Sequence, residues 1–227
     1  YDAVLVGGVE KMTNLATEAV TDALSVAADS YYEVPMGATF PGLYALIAQA
    51  HFKKYGTTWE QLQAISIKNH HNGSLNPKAQ FQEEIIDVAK TIGTQKGVTF
   101  KDAMDFLKSP FNRMIAHPLR LFDCCPMSDG ASAVLLVAEE IAKKYTDTPL
   151  YVTGLGMASD NIALHDRSDP TTLRASVEAS RRAYLMADIK PKDVDVVEVH
   201  DCFTIAELVA IEDLGFFKKG EGGKAIE

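Results

Sequence analysis

The chain has 227 residues, 47% of them hydrophobic and 23% charged, with a formal net charge of −9. That length suits one large domain or parts of two, and the composition is ordinary for a globular protein. The acidic balance argues against a nucleic-acid partner, and no apolar run is long enough to span a membrane.

The first predicted element is a short buried strand, Ala3-Val4-Leu5-Val6, broken by Gly7-Gly8. Residues 13 to 41 mix small, polar and apolar groups without a clear period. Gly42 to Tyr55 reads as an apolar helix, with Lys53 and Lys54 in its last turn and Gly56 closing it. Thr57 and Glu60 form a capping-box pattern for a helix from about Thr58 to His70. Residues 74 to 123 are more polar and are expected to hold a short helix, Lys101 to Lys108, among proline turns. Ser128-Asp129-Gly130 is a turn signal. Ala131 to Val137 then reads as a strongly apolar strand, and Ala138 to Lys144 as a short helix.

From Thr148 onward strands and helices alternate. Leu150 to Leu155 and Val194 to Val199 read as strands, and Thr171 to Ala187 as the helix between them, with Leu173, Val177 and Tyr184 on one face. That alternation implies parallel pairing through crossover connections. Thr204 with Glu207 fits a second capping box, and Phe203 with Leu208 a hydrophobic staple, so a last helix is expected from Ile205. His200, Asp201 and Cys202 are left in a tight strand-to-helix turn. Ligands of open α/β sheets meet the carboxyl ends of strands at such turns.

The chemistry of that turn stays open on local sequence. A histidine at a strand end can hold a water or donate to a developing oxyanion, or it can be a core histidine bonded to a carbonyl. Cys202 reads as a packing residue rather than a nucleophile, because residues two apart on an extended turn point apart. The three cysteines, Cys124, Cys125 and Cys202, form no disulfide framework, and a reducing, cytoplasmic setting is expected. Cys124-Cys125 with His117 lacks metal-site spacing and a fourth ligand, and His70-His71 reads as solvated. Gly154-Leu155-Gly156 lacks the third glycine of a dinucleotide fingerprint, and neither a P-loop nor a Gly-x-Ser-x-Gly elbow occurs.

Four segments, GGVEKM from Gly7, PMGAT from Pro35, CCPMSDGASAVLL from Cys124 and VEVHDCFTIAEL from Val197's strand, occur in an order that resembles the thiolase superfamily. The His-Asp-Cys-Phe form resembles the archaeal and sterol-carrier-protein-type acetyl-CoA acetyltransferase branch. The resemblance implies an α/β thiolase fold, layered α-β-α-β-α, in which two similar βαβαβαβ halves carry an inserted loop domain. On that template residues 1 to 12 end the first half's strand region. Residues 13 to 127 are the loop domain over coenzyme A, 128 to 146 the last strand and helix of the first half, and 147 to 227 the opening of the second.

The implied reaction is Claisen condensation of two acetyl-CoA through an acyl-cysteine, with coenzyme A thioesters as substrates and no further cofactor or metal. His200 matches the residue that holds the oxyanion-hole water or contacts the thioester oxygen. Phe203 matches the aromatic residue of the acyl pocket, Met36 a methionine bordering the acyl and pantetheine end, and Cys125 a serine that touches pantetheine. The implied partners are a second copy of the chain, as homodimer or homotetramer, a hydroxymethylglutaryl-CoA synthase and a small OB-fold protein of the mevalonate route to isoprenoids. The family's nucleophilic cysteine precedes GGVEKM, and its Gly-His-Pro motif lies downstream. Neither is among these residues, and none of the three cysteines takes the nucleophile's place. The chain therefore reads as an internal segment of a longer protein, and the segment alone is not expected to turn over. The alternative is a thiolase-like scaffold in a complex with the synthase.

Overall fold

The computed structural model describes residues 1 to 226. In chain order it contains β1 (Ala3–Glu10), α1 (Thr17–Ser25), α2 (Phe40–Tyr55), α3 (Trp59–Ser74), α4 (Ile85–Lys96), α5 (Ala103–Lys108), β2 (Met114–Ala116), β3 (Leu119–Arg120), β4 (Gly130–Val137), α6 (Glu139–Ala142), α7 (Arg174–Ala187), α8 (Thr204–Asp213) and α9 (Gly222–Ile226). Helices make the core. α8 packs against α2, α3, α7 and α9. Its sequence, TIAELVAIED, spreads apolar residues around the whole helix, with Glu207, Glu212 and Asp213 among them, and every residue but Ala210 is buried. Ile205, Leu208 and Val209 meet Ala45 and Ala48 of α2, Leu62 and Ile65 of α3, and Leu119. A second cluster, Ile85, Ala89, Phe106 and Leu107, joins α4 to α5, with Trp59, Phe100, Phe111 and Phe122 packed around it.

Several expectations hold and several shift. α2 closes at Gly56, whose φ of 75° is the left-handed conformation that glycine supplies without strain. The capping box of α3 sits one residue later than predicted: Gln61 N donates to Thr58 Oγ1 at 3.3 Å, and Thr58 N donates to Gln61 Oε1 at 3.1 Å. The Thr57 hydroxyl is drawn instead into a buried contact with His51 Nδ1 at 2.8 Å. α3 also runs past His70 to Ser74. His70 stacks on Phe81 and Phe122, while His71 pairs with Glu84. α4 was not foreseen. Its buried residues, Ile85, Ala89 and Gly93, recur one per turn, and Ile86, Val88 and Ile92 pack beside them.

The sheet differs most from expectation. β1 pairs antiparallel with β4, from Ala3↔Val137 to Glu10↔Gly130, and β2 pairs antiparallel with β3. No parallel pair occurs among the described residues. β1 was expected to be buried, but it is exposed at every position. A two-stranded ribbon cannot cover its own faces. The predicted strands 150 to 155 and 194 to 199 have no partner strand among the described residues and carry no strand pairing. A strand is defined by its neighbour's hydrogen bonds, so an apolar run without one is extended chain. The first of these segments lies against α7. A Cβ on Gly156 or Gly154 would run into the carbonyl oxygens of Ala179 and Ala183, so the two glycines allow close approach to the helix backbone. α7 itself begins at Arg174, three residues later than predicted.

The β1–β4 ribbon joins two of the singled-out motifs. GGVEKM runs into SDGASA, and the Asp129 carboxylate ties their ends. It accepts from Met12 N at 2.8 Å, Thr13 N at 3.0 Å and Thr13 Oγ1 at 2.6 Å. The Thr13 hydroxyl and the two amides hold this carboxyl down to about 2 from its usual 3.8. A carboxyl depressed on folding contributes stability that is complete above its unfolded pKa and is lost as pH falls through the folded one. An NMR titration should therefore place the Asp129 midpoint near 2, with the Met12 and Thr13 amides losing exchange protection only below about pH 3. A midpoint near the ordinary carboxylate value would refute the tie.

Candidate active site

The His-Asp-Cys-Phe turn rests on the N-terminus of α8. Phe203 is the residue before the helix, and Thr204 is its first residue. The predicted capping box is not formed. The Thr204 hydroxyl donates to Asp123 Oδ1 at 2.7 Å, and Glu207 is claimed by Lys68 Nζ at 2.9 Å and Asn69 Nδ2 at 2.8 Å. Both side chains of the apparent local motif are taken by long-range partners. The staple residues Phe203 and Leu208 are both buried in the main core.

Asp123 is the centre of a buried polar network. Besides Thr204 it accepts from Gln63 Nε2 at 2.6 Å and from Arg120 N at 2.8 Å. Gln63 Oε1 accepts from Asn112 Nδ2 at 3.0 Å, and Asn112 Oδ1 accepts from Phe122 N at 3.0 Å. These bonds fix residues 112 to 124 against α3 and α8. Burial raises the Asp123 carboxyl, and the donors from Arg120, Thr204 and Gln63 oppose that rise without cancelling it.

The segment after Asp123 lies alongside the turn. Cys124 and Phe203 form an antiparallel bridge, and Cys125 N donates to Cys202 O at 3.0 Å. Asn69 of α3 donates to Asp201 as well as to Glu207, so one amide holds the turn to the first turn of α8. Tyr44 of α2 lies on Phe203 with ring centroids 4.6 Å apart. Burial pushes the pKa of its hydroxyl up. Burial also raises all three thiols, Cys124 to about 12.

The four sequence-predicted residues fall as follows. Phe203 is buried at 6% exposure, under Tyr44. His200 is exposed among the described residues. Cys125 is exposed and lines a cavity of about 270 Å³ with Asp201, Asn69 and Phe81. Met36 lines a different cavity of about 710 Å³, walled by Leu43, Leu46 and Leu164, with Glu33 and His165 beside it. The structure thus brings Cys125 against the turn that carries His200 and Phe203, and sets Met36 on a separate cavity. Another hollow, about 1050 Å³ between residues 157 to 161 and α7, shares no residue with the turn. No group of His, Cys, Asp and Glu among the described residues is arranged to hold a metal ion. Sequence reading missed Tyr44 and Asn69. Nothing local marks either one, because each acts across the fold on a residue more than 100 positions away.

Comparison with known proteins locates this arrangement. Residues 1–140 match the family model of the thiolase N-terminal domain, and residues 156–227 the thiolase C-terminal domain-like model. An acetyl-CoA acetyltransferase of Methanothermobacter thermautotrophicus is 47% identical over 227 residues, covering 100% of this chain and 54% of that protein. The corresponding protein of Methanocaldococcus jannaschii is 45% identical, covering 99% of this chain and 53% of its own. Sterol carrier protein 2 of Bos taurus is 31% identical, over 100% of this chain and 40% of its own. Among solved structures, the Ltp2–ChsH2(DUF35) aldolase superposes with a TM-score of 0.75 at 25% identity, over 99% of this chain and 55% of that one. The chain spans about half the length of the acetyltransferases it matches.

Asp123→Ala should destabilise the fold by about 3 kcal/mol, because it strands three donors, two of them on buried side chains. Asp123→Asn keeps the acceptor that Gln63 and Thr204 share and should cost about 1 kcal/mol. Urea denaturation of both variants measures this. Equal losses would show that the carboxylate geometry is not what matters.

Proposed function

The chain belongs to the thiolase family, and from that premise we propose that the whole protein is an acetyl-CoA C-acetyltransferase. It condenses two acetyl-CoA into acetoacetyl-CoA, or runs the reverse thiolysis. The observation that carries this reading is the His-Asp-Cys-Phe turn, fixed on a buried helix with His200 left facing out. The 45% and 47% identities to archaeal acetyl-CoA acetyltransferases across the chain support it.

In this reading a cysteine of the whole protein, outside residues 1 to 227, takes the acetyl group and releases coenzyme A. The covalent intermediate divides one difficult step into two. The second acetyl-CoA then loses a methyl proton to a base of the whole protein, its thioester oxygen gathers the enolate charge, and the enolate carbon attacks the acetyl carbonyl so that the C–S bond breaks and the cysteine thiolate is freed. His200 donates a hydrogen bond to that oxygen, directly or through a water it holds. Phe203, immobilised under Tyr44, forms one wall of the acyl pocket. Cys125 meets the pantetheine arm, and Met36 borders the same arm from the side of α2. The domain arrangement proposed is a first half ending at residue 12 and resuming at 128 to 146, a loop domain of residues 13 to 127 over coenzyme A, and a second half from 147. The exposed apolar strands β1 and β4 then pair and pack within the layered fold of the whole protein.

A cytoplasmic dimer or tetramer serving isoprenoid synthesis, in contact with a hydroxymethylglutaryl-CoA synthase and an OB-fold protein, completes the proposal. The acidic charge suits a soluble role, and no described helix is long and apolar enough to cross a membrane. That the aldolase neighbour is named with a DUF35 component supports a protein partner.

Two measurements test the reading. Incubating the full-length protein with acetyl-CoA should add one acetyl group, seen by intact mass and lost to hydroxylamine. Binding of coenzyme A with no such gain would favour a scaffold. His200→Ala in the full-length protein should lower kcat roughly a hundredfold or more with an unchanged Tm, the size of effect seen when one oxyanion donor is removed. Unchanged turnover would take His200 out of the mechanism.

A further inference from the structure

Cys125 and Cys202 stand in a relation that the acetyltransfer reading does not use. The bridge between Cys124 and Phe203 sets an antiparallel register, and in that register the residue after Cys124 faces the residue before Phe203. Those residues are Cys125 and Cys202. The bond from Cys125 N to Cys202 O, 3.0 Å, confirms that they are directly opposed. Opposed residues of a hydrogen-bonded antiparallel pair have Cα atoms about 5.5 Å apart with side chains on one face. Disulfides most often span about 5.5–6 Å between Cα atoms.

We propose that Cys125 and Cys202 form a reversible oxidative cross-link that ties the His-Asp-Cys-Phe turn to the segment carrying Cys125. This inference rests on the register alone and does not depend on the proposed acetyltransfer.

Cys124 is not the partner. Successive side chains along an extended segment point to opposite faces. The Cys124 thiol is engaged with Arg120 O at 3.3 Å. Cys125 is exposed and Cys202 only half-buried, so an oxidant reaches Cys125 first. With a peroxide the chemistry balances in two steps. The Cys125 thiolate attacks one peroxide oxygen, the O–O bond breaks, and a sulfenic acid and one water result. The Cys202 thiolate then attacks the Cys125 sulfur, the S–O bond breaks, and the hydroxide leaves with a proton as a second water. Two thiols are oxidised by two electrons, and the peroxide is reduced to two waters. Because burial raises both thiols, the reaction should quicken as pH rises above neutrality.

The cross-link would hold the backbone beside His200 and close the Cys125 side of the 270 Å³ cavity. Hydrogen peroxide applied to the full-length protein, followed by alkylation and unreduced tryptic mapping, tests this. The expected product joins the peptide of residues 121–143 to that of residues 193–218, and a reductant dissolves it. Cys124→Ser should retain the cross-link, and Cys125→Ser should abolish it. A cross-link that survives Cys125→Ser would overturn the proposal. So would sulfinic acid at Cys125 with Cys202 still open to alkylation.

Discussion

α8 is a helix without a solvent face that nevertheless carries three acids. Glu207, Glu212 and Asp213 are all buried, and an unpaired buried carboxylate costs several kcal/mol. Each is answered from a different part of the chain. Glu207 takes Lys68 and Asn69 of α3. Glu212 takes His51 of α2 at 3.0 Å and Gly222 N of α9 at 3.0 Å. Asp213 takes Leu173 N before α7 at 2.6 Å and Lys219 at 2.9 Å. Burial alone would raise Glu212, yet its hydrogen bonds from His51, Gly220 and Gly222 hold it below the usual carboxylate value. The apolar residues of α8 could accept many rotations against α2 and α3. Three directional acid contacts remove that freedom and fix the helix in one setting.

The His-Asp-Cys-Phe turn inherits that setting. His200 to Phe203 lie at the end of α8 that Asp123, Asn69 and Tyr44 clamp from three sides. In the proposed reaction His200 donates to a developing charge, and such a donor works from an immobile base. The two-stranded ribbon of β1 and β4, by contrast, is exposed, and Asp129 ties the end at which GGVEKM meets SDGASA.

Sequence reading located the helices whose signals are local. α2 was legible from its apolar run and from Gly56, α5 and α8 to within a few residues, and β4 from its apolar length. The His-Asp-Cys-Phe turn stood out because such residues are unusual after a valine-rich run, and family resemblance supplied its meaning. What escaped was whatever is decided by distant partners. Thr204 and Glu207 look like a capping box, but Asp123 and Lys68 compete for them and win. The same competition moves the cap of α3 from Thr57 to Thr58, because His51 takes the Thr57 hydroxyl. Residues 150 to 155 and 194 to 199 have strand composition, yet composition cannot provide a neighbouring strand. The opposition of Cys125 to Cys202, 77 positions apart in sequence, is a matter of register that no local pattern contains.

Native-state hydrogen exchange, compared between the protein and its Glu212→Ala variant, tests most directly whether α8's buried acids set the turn. The account predicts that the amides of α8 exchange last. It also predicts that the variant, which strands His51 and the Gly222 amide, loses protection at residues 202–204 as well as around residue 212. Unchanged protection at residues 202–204 would contradict it, as would α8 exchanging no more slowly than α1.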